Sequence, residues 1–195
     1  LIRSEHTILK EMDHVVCQGD RLGILGLNGS GKSSLLQLIT EDLKPTSGTI
    51  KKAADLKIAY FDQHKQNLER DRRLRYMIAD GQEGVVFQGR NYHVNAWAGR
   101  FGFEPHRLDT LVGKLSKGEQ ARLAMSIFMR QEADILILDE PSNDLDIMTL
   151  ELLEDRLQQF KGALILVSHD RFMLQTLCHS FLGINQEARV VSYQE

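Results

Sequence analysis

Gly26-Leu27-Asn28-Gly29-Ser30-Gly31-Lys32-Ser33 fills every fixed position of the phosphate-loop pattern G-x-x-x-x-G-K-S/T. The apolar run Leu22 to Leu25 comes directly before it, and apolar residues at helical spacing follow it from Leu35 to Ile39. The stretch therefore predicts a loop that joins a buried strand to a helix, which is the setting in which this pattern binds nucleotide phosphates. The alternative, a glycine-rich turn with a surface lysine, does not account for the flanking strand and helix.

The residue types in this loop suit a polyphosphate ligand. Glycine allows the backbone to wrap closely, so that successive N–H groups and the N-terminus of the next helix can face phosphate oxygens. Lys32 adds a positive charge for the β- and γ-phosphates, and the Ser33 hydroxyl is a suitable ligand for Mg²⁺. The predicted nucleotide-binding residues are Gly26, Leu27, Asn28, Gly29, Ser30, Gly31, Lys32, Ser33 and Ser34.

The composition favours one ordinary globular domain. The chain has 195 residues, 42% of them hydrophobic and 26% charged, which is enough apolar material for a core. A formal net charge of −3 gives no overall attraction to nucleic acid, so any such contact is expected to be local. The apolar runs are too short to cross a bilayer and the first residues show no signal-peptide pattern, so a cytoplasmic location is predicted. Cys17 and Cys178, far apart in sequence, predict neither a disulfide nor a zinc site.

The remaining secondary structure follows from apolar periodicity. Strands are predicted at 13–17, 49–51, 57–61, 135–138 and 164–167. Long helices are predicted at 115–130 and 150–160. Positions 64 to 114 are predicted to be mainly helical, with Val94, Trp97 and Phe101 on one helix face that packs in the core.

Three candidate segments each follow an apolar strand and precede a helix, namely the phosphate loop, Asp139-Glu140 and His169. In an open parallel α/β sheet such residues lie at the carboxyl edge, where ligands bind, so we expect them to converge on one site. An aspartate there can hold Mg²⁺, directly or through water, and the next glutamate can orient or deprotonate an attacking water. An Asp-Glu pair alone is weak evidence, but the preceding strand and the phosphate loop make this interpretation specific.

Five motifs in this order resemble an ATP-binding cassette of the ABC superfamily over essentially the whole chain. The motifs are the phosphate loop, Gln63, Leu115-Ser116-Lys117-Gly118-Glu119, Ile135 to Asp146, and His169. The resemblance implies a P-loop NTPase fold of the ABC-cassette type, an α/β fold with a mostly parallel sheet core, a β edge subdomain and an inserted helical subdomain. It implies one cassette over 1–195, with its core at 1–63 and 131–195 and the helical subdomain at about 64–130.

The same resemblance implies a role for each motif, with ATP and Mg²⁺ as ligands. Glu140 would be the catalytic base, His169 the switch histidine that touches the γ-phosphate, and Gln63 the glutamine that senses Mg²⁺ and the attacking water. Ser33, Gln63 and Asp139 would hold Mg²⁺. The signature loop, which acts on ATP held by another cassette, would be formed by Ser116, Lys117, Gly118 and Glu119. Lys117 departs from the double-glycine form of the signature, and its side chain could contact a phosphate or face solvent.

Within the superfamily, Asp139 to Asp146 and Ser168-His169-Asp170-Arg171-Phe172 resemble the ABC-F branch, whose members carry two cassettes and no membrane domain. That resemblance implies a soluble, cytoplasmic ATPase that pairs with a second cassette, either in the same polypeptide or in a homodimer. It implies the ribosome and its rRNA as the target and branched DNA as a further partner, with no membrane partner.

Three other functions stay open at this point. The main one is the nucleotide-binding subunit of a membrane transporter, against which the sequence Asn143 to Asp146 argues. A DNA-repair ATPase head would need a long coiled coil between Gln63 and the signature, and positions 64–115 leave no room for it. A non-enzymatic binding module is disfavoured because the catalytic and metal-binding positions are intact.

Overall fold

The computed structural model describes residues 1–3, 6–10, 12–62, 68–143, 145–185 and 187–194. Its strands are β1 Ile2–Arg3, β2 His6–Thr7, β3 Arg21–Gly26, β4 Ile58–Asp62, β5 Gly84–Phe87, β6 Arg90–His93, β7 Ile135–Asp139, β8 Ala163–Val167, β9 Ser180–Ile184 and β10 Val190–Gln194. Its helices are α1 Lys32–Thr40, α2 Leu74–Ala79, α3 Val94–Arg100, α4 Lys117–Met129, α5 Ile147–Gln159 and α6 Arg171–Leu177, with short 3₁₀ turns at Pro105–Arg107 and Val112–Lys114. Over the described ranges, none of these helices has the length and apolar character needed to span a bilayer.

A six-stranded, mostly parallel sheet has the strand order β10-β9-β3-β8-β7-β4. β3 pairs in parallel with β8 and with β9, β7 pairs in parallel with β8, and β10 pairs antiparallel with β9 at one edge. The predicted α/β fold with a mostly parallel core is therefore confirmed. Parallel pairing places the carboxyl ends of β3, β7 and β8 at the same edge of the sheet.

The central strand β8 is the most deeply buried part of the sheet. All five of its residues are buried, as its uninterrupted apolar sequence predicts for a strand covered on both faces. Helix α1 packs its buried leucines against one face, in a core cluster that includes Leu36, Ile137 and Ile165. The loop that precedes α1 is therefore anchored at both ends, by β3 and by a helix fixed in the core.

Contacts within the chain divide it into two compact units. The first comprises 1–60, 133–141 and 160–195, and the second comprises 61–132 and 142–159. The subdomain boundaries predicted from the sequence, near 63/64 and 130/131, stay a prediction. Residues 142–159, which the sequence placed in the core subdomain, are grouped with the second unit.

The second unit has an aromatic core. The ring centroid of Trp97 lies 4.9 Å from that of Phe87 and 5.5 Å from that of Phe101. Trp97 and Phe101 are each 1% exposed, and the Trp97 indole N–H donates to the carbonyl oxygen of Ser126 at 3.2 Å. The predicted packing of this helix face in the core is confirmed.

A β-hairpin interrupts the stretch that the sequence predicted to be mainly helical. β5 and β6 pair antiparallel around Gln88 and Gly89, whose φ angles are 50° and 72°. Two successive positive φ angles are typical of a type I′ turn, for which Asn-Gly or Asp-Gly is the usual signal. Glutamine at the first position conceals that signal, so the hairpin was missed.

Two predicted strands are wrong. Residues 13–17 and 49–51 form no strand in the structure. Val15 and Ile50 are 75% and 41% exposed, so the weak alternation there does not mark a buried face. An extended segment is stable as a strand only with hydrogen-bonded neighbours and an apolar face to bury.

Helix α4 begins with a capping box formed by Ser116 and Glu119. The Ser116 hydroxyl accepts the Glu119 backbone N–H at 3.3 Å, and Glu119 Oε2 accepts the Ser116 backbone N–H at 2.8 Å. Glu119 Oε1 also accepts from Arg107 Nη2 at 2.9 Å. The hydrogen bond from the Ser116 backbone is the main reason that the pKa of Glu119 lies below its ordinary value.

Glu119→Ala should lower the free energy of unfolding by about 1 kcal/mol at neutral pH, because the carboxylate contacts with the Ser116 backbone N–H and with Arg107 are lost. A carboxylate with a lowered folded-state pKa stabilises the fold above its unfolded-state pKa, and this contribution is lost as the pH falls through the folded-state pKa. The difference in the free energy of unfolding between wild type and variant should therefore become smaller at acidic pH. Urea denaturation at neutral and acidic pH measures it.

Glu151→Ala is the matched control, since Glu151 is exposed on α5. Its unfolding midpoint should stay close to that of the wild type. Equal stability of Glu119→Ala and Glu151→Ala at neutral pH would contradict the role of the capping box.

Candidate functional site

The register of three parallel strands brings the predicted site segments together. Ile24 of β3 and Asp139 of β7 are both paired with Val167 of β8, one from each side. The phosphate loop leaves β3 two residues after Ile24, and His169 follows Val167 by two residues. All these segments belong to the first unit, at one edge of its sheet.

The phosphate loop has the backbone that its glycines predict. Gly29 and Gly31 have φ angles of 79° and 105°, which side-chain-bearing residues rarely adopt. A Cβ atom on Gly26 would lie 2.5 Å from the Ser30 hydroxyl oxygen, so this position has no space for a side chain. Lys32 Nζ donates to the carbonyl oxygens of Gly26 and Leu27 at 2.8 and 3.1 Å, which holds its charge over the loop.

Ser33 and Asp139 place two oxygen atoms side by side next to the loop. The Ser33 hydroxyl donates to Asp139 Oδ2 at 3.3 Å. The Tyr60 hydroxyl lies 3.5 Å from the same carboxylate oxygen, a position that the sequence did not predict because a tyrosine in a strand usually indicates packing. A hydroxyl and a carboxylate are ligands that Mg²⁺ prefers, so the donor set fits this metal. Gln63, the third predicted Mg²⁺ ligand, lies outside the described residues.

Glu140 has a strained backbone and a fixed carboxylate. Its φ angle is 50°, a left-handed conformation that is uncommon for a residue with a long side chain. Its backbone N–H donates to the Val167 carbonyl oxygen at 2.8 Å, and its Oε2 accepts the backbone N–H of His169 at 3.1 Å. Its Oε1 is buried and accepts no hydrogen bond from the described residues. One oxygen of the carboxylate is thus fixed by the protein, and the lone pairs of the other are not used by the described residues.

His169 lies between the phosphate loop and Glu140. Its Nε2 is 3.1 Å from Asn28 Oδ1 and 3.3 Å from Glu140 Oε1. The side chain is 62% exposed, whereas that of Glu140 is 20% exposed. Asp170 caps the next helix, α6, by accepting the backbone N–H groups of Phe172 and Met173, and so fixes where the segment turns away from the sheet.

A cavity of about 170 Å³ lies next to the loop in the first unit. Its walls include the basic side chains Lys32, His169 and Arg171. These groups favour an anionic ligand. The sequence predicted no role for Arg171, since one arginine in the first turn of a helix is no signal by itself.

The signature residues lie at the start of α4 in the second unit. Ser116 is the N-cap residue, and its hydroxyl oxygen accepts from Glu119, which leaves the hydroxyl proton available to an anion. Lys117 is exposed and Gly118 is half-buried, both in the first helical turn, where backbone N–H groups have no intrahelical partner. Their action on another cassette's nucleotide stays a prediction.

Comparisons with known proteins agree with this geometry. Residues 9–143 match the family model described as "ABC transporter". The chain is 38% identical over 190 residues to "ATP-binding protein Uup-like" of Haemophilus influenzae, covering 96% of this chain and 41% of that protein. It is 31% identical over 190 residues to "Energy-dependent translational throttle protein EttA" of Escherichia coli, covering 97% of this chain and 34% of that protein. The chain thus spans less than half the length of these curated relatives.

One solved structure illustrates the fold. It is titled "Dimeric structure of a post-hydrolysis state of the ATP-binding cassette MJ0796 bound to ADP and Pi", with a TM-score of 0.71 and 21% identity, covering 96% of this chain and 90% of that one. The fold predicted from the motifs is confirmed, as is the likeness to the ABC-F branch and, within it, to Uup. The chain therefore belongs to the ABC transporter family, as an ATP-binding cassette of the ABC-F type.

Proposed function

We propose that this cassette hydrolyses ATP with Glu140 as the general base. The observation that carries the proposal is the placement of the Glu140 carboxylate. One oxygen is fixed by the His169 backbone, and the other accepts no hydrogen bond from the described residues, at the end of the strand that also carries Asp139. A base needs an available lone pair and a fixed position, and this carboxylate has both.

The phosphate loop and Lys32 bind the β- and γ-phosphates of ATP. Backbone N–H groups at the start of α1 and the Lys32 ammonium group supply the positive field, without a change in the fold. Ser33 and Asp139 hold Mg²⁺, which when bound neutralises charge on the phosphate oxygens, and Gln63 is proposed as its third protein ligand. His169 donates from Nε2 to the γ-phosphate, in line with its position beside the loop.

Glu140 deprotonates or orients the attacking water through its carboxylate. The left-handed backbone and the hydrogen bond to Val167 hold the carboxylate next to the loop, so little reorganisation is needed when the water attacks. Strain at a residue of this kind is typical of functional sites and is stabilised by the surrounding structure.

Glu140→Gln should reduce ATP turnover about 100- to 10,000-fold, because the amide cannot accept the proton of the water. ATP binding should be retained, since the phosphate and metal ligands are unchanged. Phosphate release at saturating ATP and equilibrium binding of ATP measure the two effects. Glu151→Gln, the same change at an exposed position on α5, should leave both unchanged.

If Glu140→Gln loses both ATP binding and ATP turnover, Glu140 acts in nucleotide binding and not in catalysis. Turnover within about tenfold of the wild type would rule out Glu140 as the general base.

Two cassettes are proposed to close head to tail on ATP, so that the signature of one completes the site of the other. The first turn of α4, where Ser116 and Lys117 are exposed, supports this, because the backbone N–H groups of Lys117 and Gly118 and the Ser116 hydroxyl suit a phosphate. The similar cassette MJ0796 is described as dimeric in its ADP-and-phosphate state. The second cassette lies in the same polypeptide or in a second copy of it.

The proposed target is the ribosome, in translation or in ribosome assembly, which implies a cytoplasmic location. Support comes from the likeness to EttA, whose name describes an energy-dependent translational throttle. Branched DNA, the further partner that the resemblance of the motifs to the ABC-F branch implies, is the second candidate. A net charge of −3 favours a local contact over general attraction to nucleic acid.

The full-length protein carrying Glu140→Gln should pellet with purified ribosomes in ATP and not in ADP, because ATP keeps the two cassettes closed while hydrolysis is blocked. Co-sedimentation through a sucrose cushion measures this. Absence of pelleting in ATP, with ATP still bound, would contradict the ribosome proposal. A branched-DNA gel-shift assay with the same variant would then test the second candidate.

A further inference from the structure

We propose that Asn28 is a positioning residue that holds His169 in place before the nucleotide arrives, an inference that rests on the proposed ATPase function. Asn28 Oδ1 lies 3.1 Å from His169 Nε2, within hydrogen-bond distance, across the gap between the phosphate loop and the end of β8. The phosphate-loop pattern leaves this position open to any residue. The structure therefore gives a role to a side chain that the motif does not specify.

The backbone does not explain why an asparagine stands at this position. Asparagine is common in loops because it tolerates a left-handed backbone. In this loop the positive φ angles fall on Gly29 and Gly31 and not on Asn28. The contact with His169 is the hydrogen bond that the described structure gives to the Asn28 side chain. The amide is therefore explained by its partner and not by the turn.

The surrounding charge decides which atoms donate. Glu140 Oε1 lies 3.3 Å from His169 Nε2 and, as a carboxylate oxygen, is an acceptor only. An Nε2 lone pair facing that oxygen would be repelled, so Nε2 carries the proton. Asn28 must then present its oxygen and not its NH₂ group. Nε2–H consequently donates to the amide oxygen of the loop, while Glu140 Oε1 lies nearby without accepting a hydrogen bond.

Hydrogen bonds and not packing hold the imidazole. The His169 side chain is 62% exposed, so few neighbouring atoms restrict its rotamers. With Asn28 as acceptor, the His169 Nε2–H group already points at the phosphate loop before the nucleotide binds. A γ-phosphate oxygen can replace the amide oxygen without a rotamer search, which is the benefit of preorganisation.

Nuclear magnetic resonance of the nucleotide-free protein tests the contact without any catalysis. The His169 Nε2–H cross-peak, assigned by its loss in His169→Ala, should be visible at mildly alkaline pH because a hydrogen bond slows exchange with water. It should disappear in Asn28→Ala and persist in Asn28→Asp, which keeps an acceptor oxygen in the same place. Asn91→Ala, the same change at an exposed position of β6, should leave it visible.

Steady-state kinetics distinguish a role of Asn28 in positioning His169 from a role in binding ATP. Asn28→Ala should lower kcat about fivefold, the effect of losing one hydrogen bond, with little change in KM. Asn28→Asp should retain most of kcat and raise KM, since a negative charge in the loop repels the phosphates. If Asn28→Ala does not fold, Asn28→Ser, whose side chain is too short to reach His169, takes its place with the same expected result.

A His169 cross-peak that persists in Asn28→Ala, with unchanged kcat, would overturn the inference while leaving the ATPase proposal intact. If the wild type has no ATPase activity but the cross-peak disappears in Asn28→Ala, the contact between Asn28 and His169 stands. The proposed ATPase function, and with it the catalytic purpose of Asn28, would then be overturned.

Discussion

The parallel pairing of β8 with both β3 and β7 is the constraint on which the site depends. Val167 faces Ile24 on one side and Asp139 on the other, so the phosphate loop, the acidic pair and the histidine leave the sheet at the same level. Close packing around the fully buried β8 holds this register, since a slip by one residue would place each side chain in a space shaped for a different one. The core of the first unit therefore sets the distances between the site residues.

Glu140 depends on the position of β8 in the sheet. A left-handed glutamate costs about 1–3 kcal/mol and persists only where the surroundings stabilise it. Here the Glu140 backbone donates to Val167 and its carboxylate accepts from the His169 backbone, so both stabilising contacts come from β8 or the residues just after it. The same strand that orders the sheet thus holds the proposed base in place.

Much of the fold and of the site was predictable from the sequence, because the patterns that indicate them lie within short stretches of the chain. The phosphate loop, the strands at β7 and β8 and the helix after Ser116 follow from apolar periodicity and capping within short windows. The hairpin at β5 and β6 was missed because Gln88 stands where Asn or Asp usually signals a type I′ turn. The contacts of Asn28 and Tyr60 were not predictable, because each joins residues far apart in sequence. The placement of Glu140 Oε2 depends in the same way on strand register, which one sequence does not show.

The most direct test of the central claim is a crystal structure of the Glu140→Gln protein grown with ATP and Mg²⁺. We expect the γ-phosphate within hydrogen-bond distance of Lys32 Nζ and His169 Nε2, the metal in contact with Ser33 and Asp139, and the first turn of another cassette's α4 on the same phosphate. A nucleotide bound away from the phosphate loop, or a metal that contacts neither Ser33 nor Asp139, would contradict it.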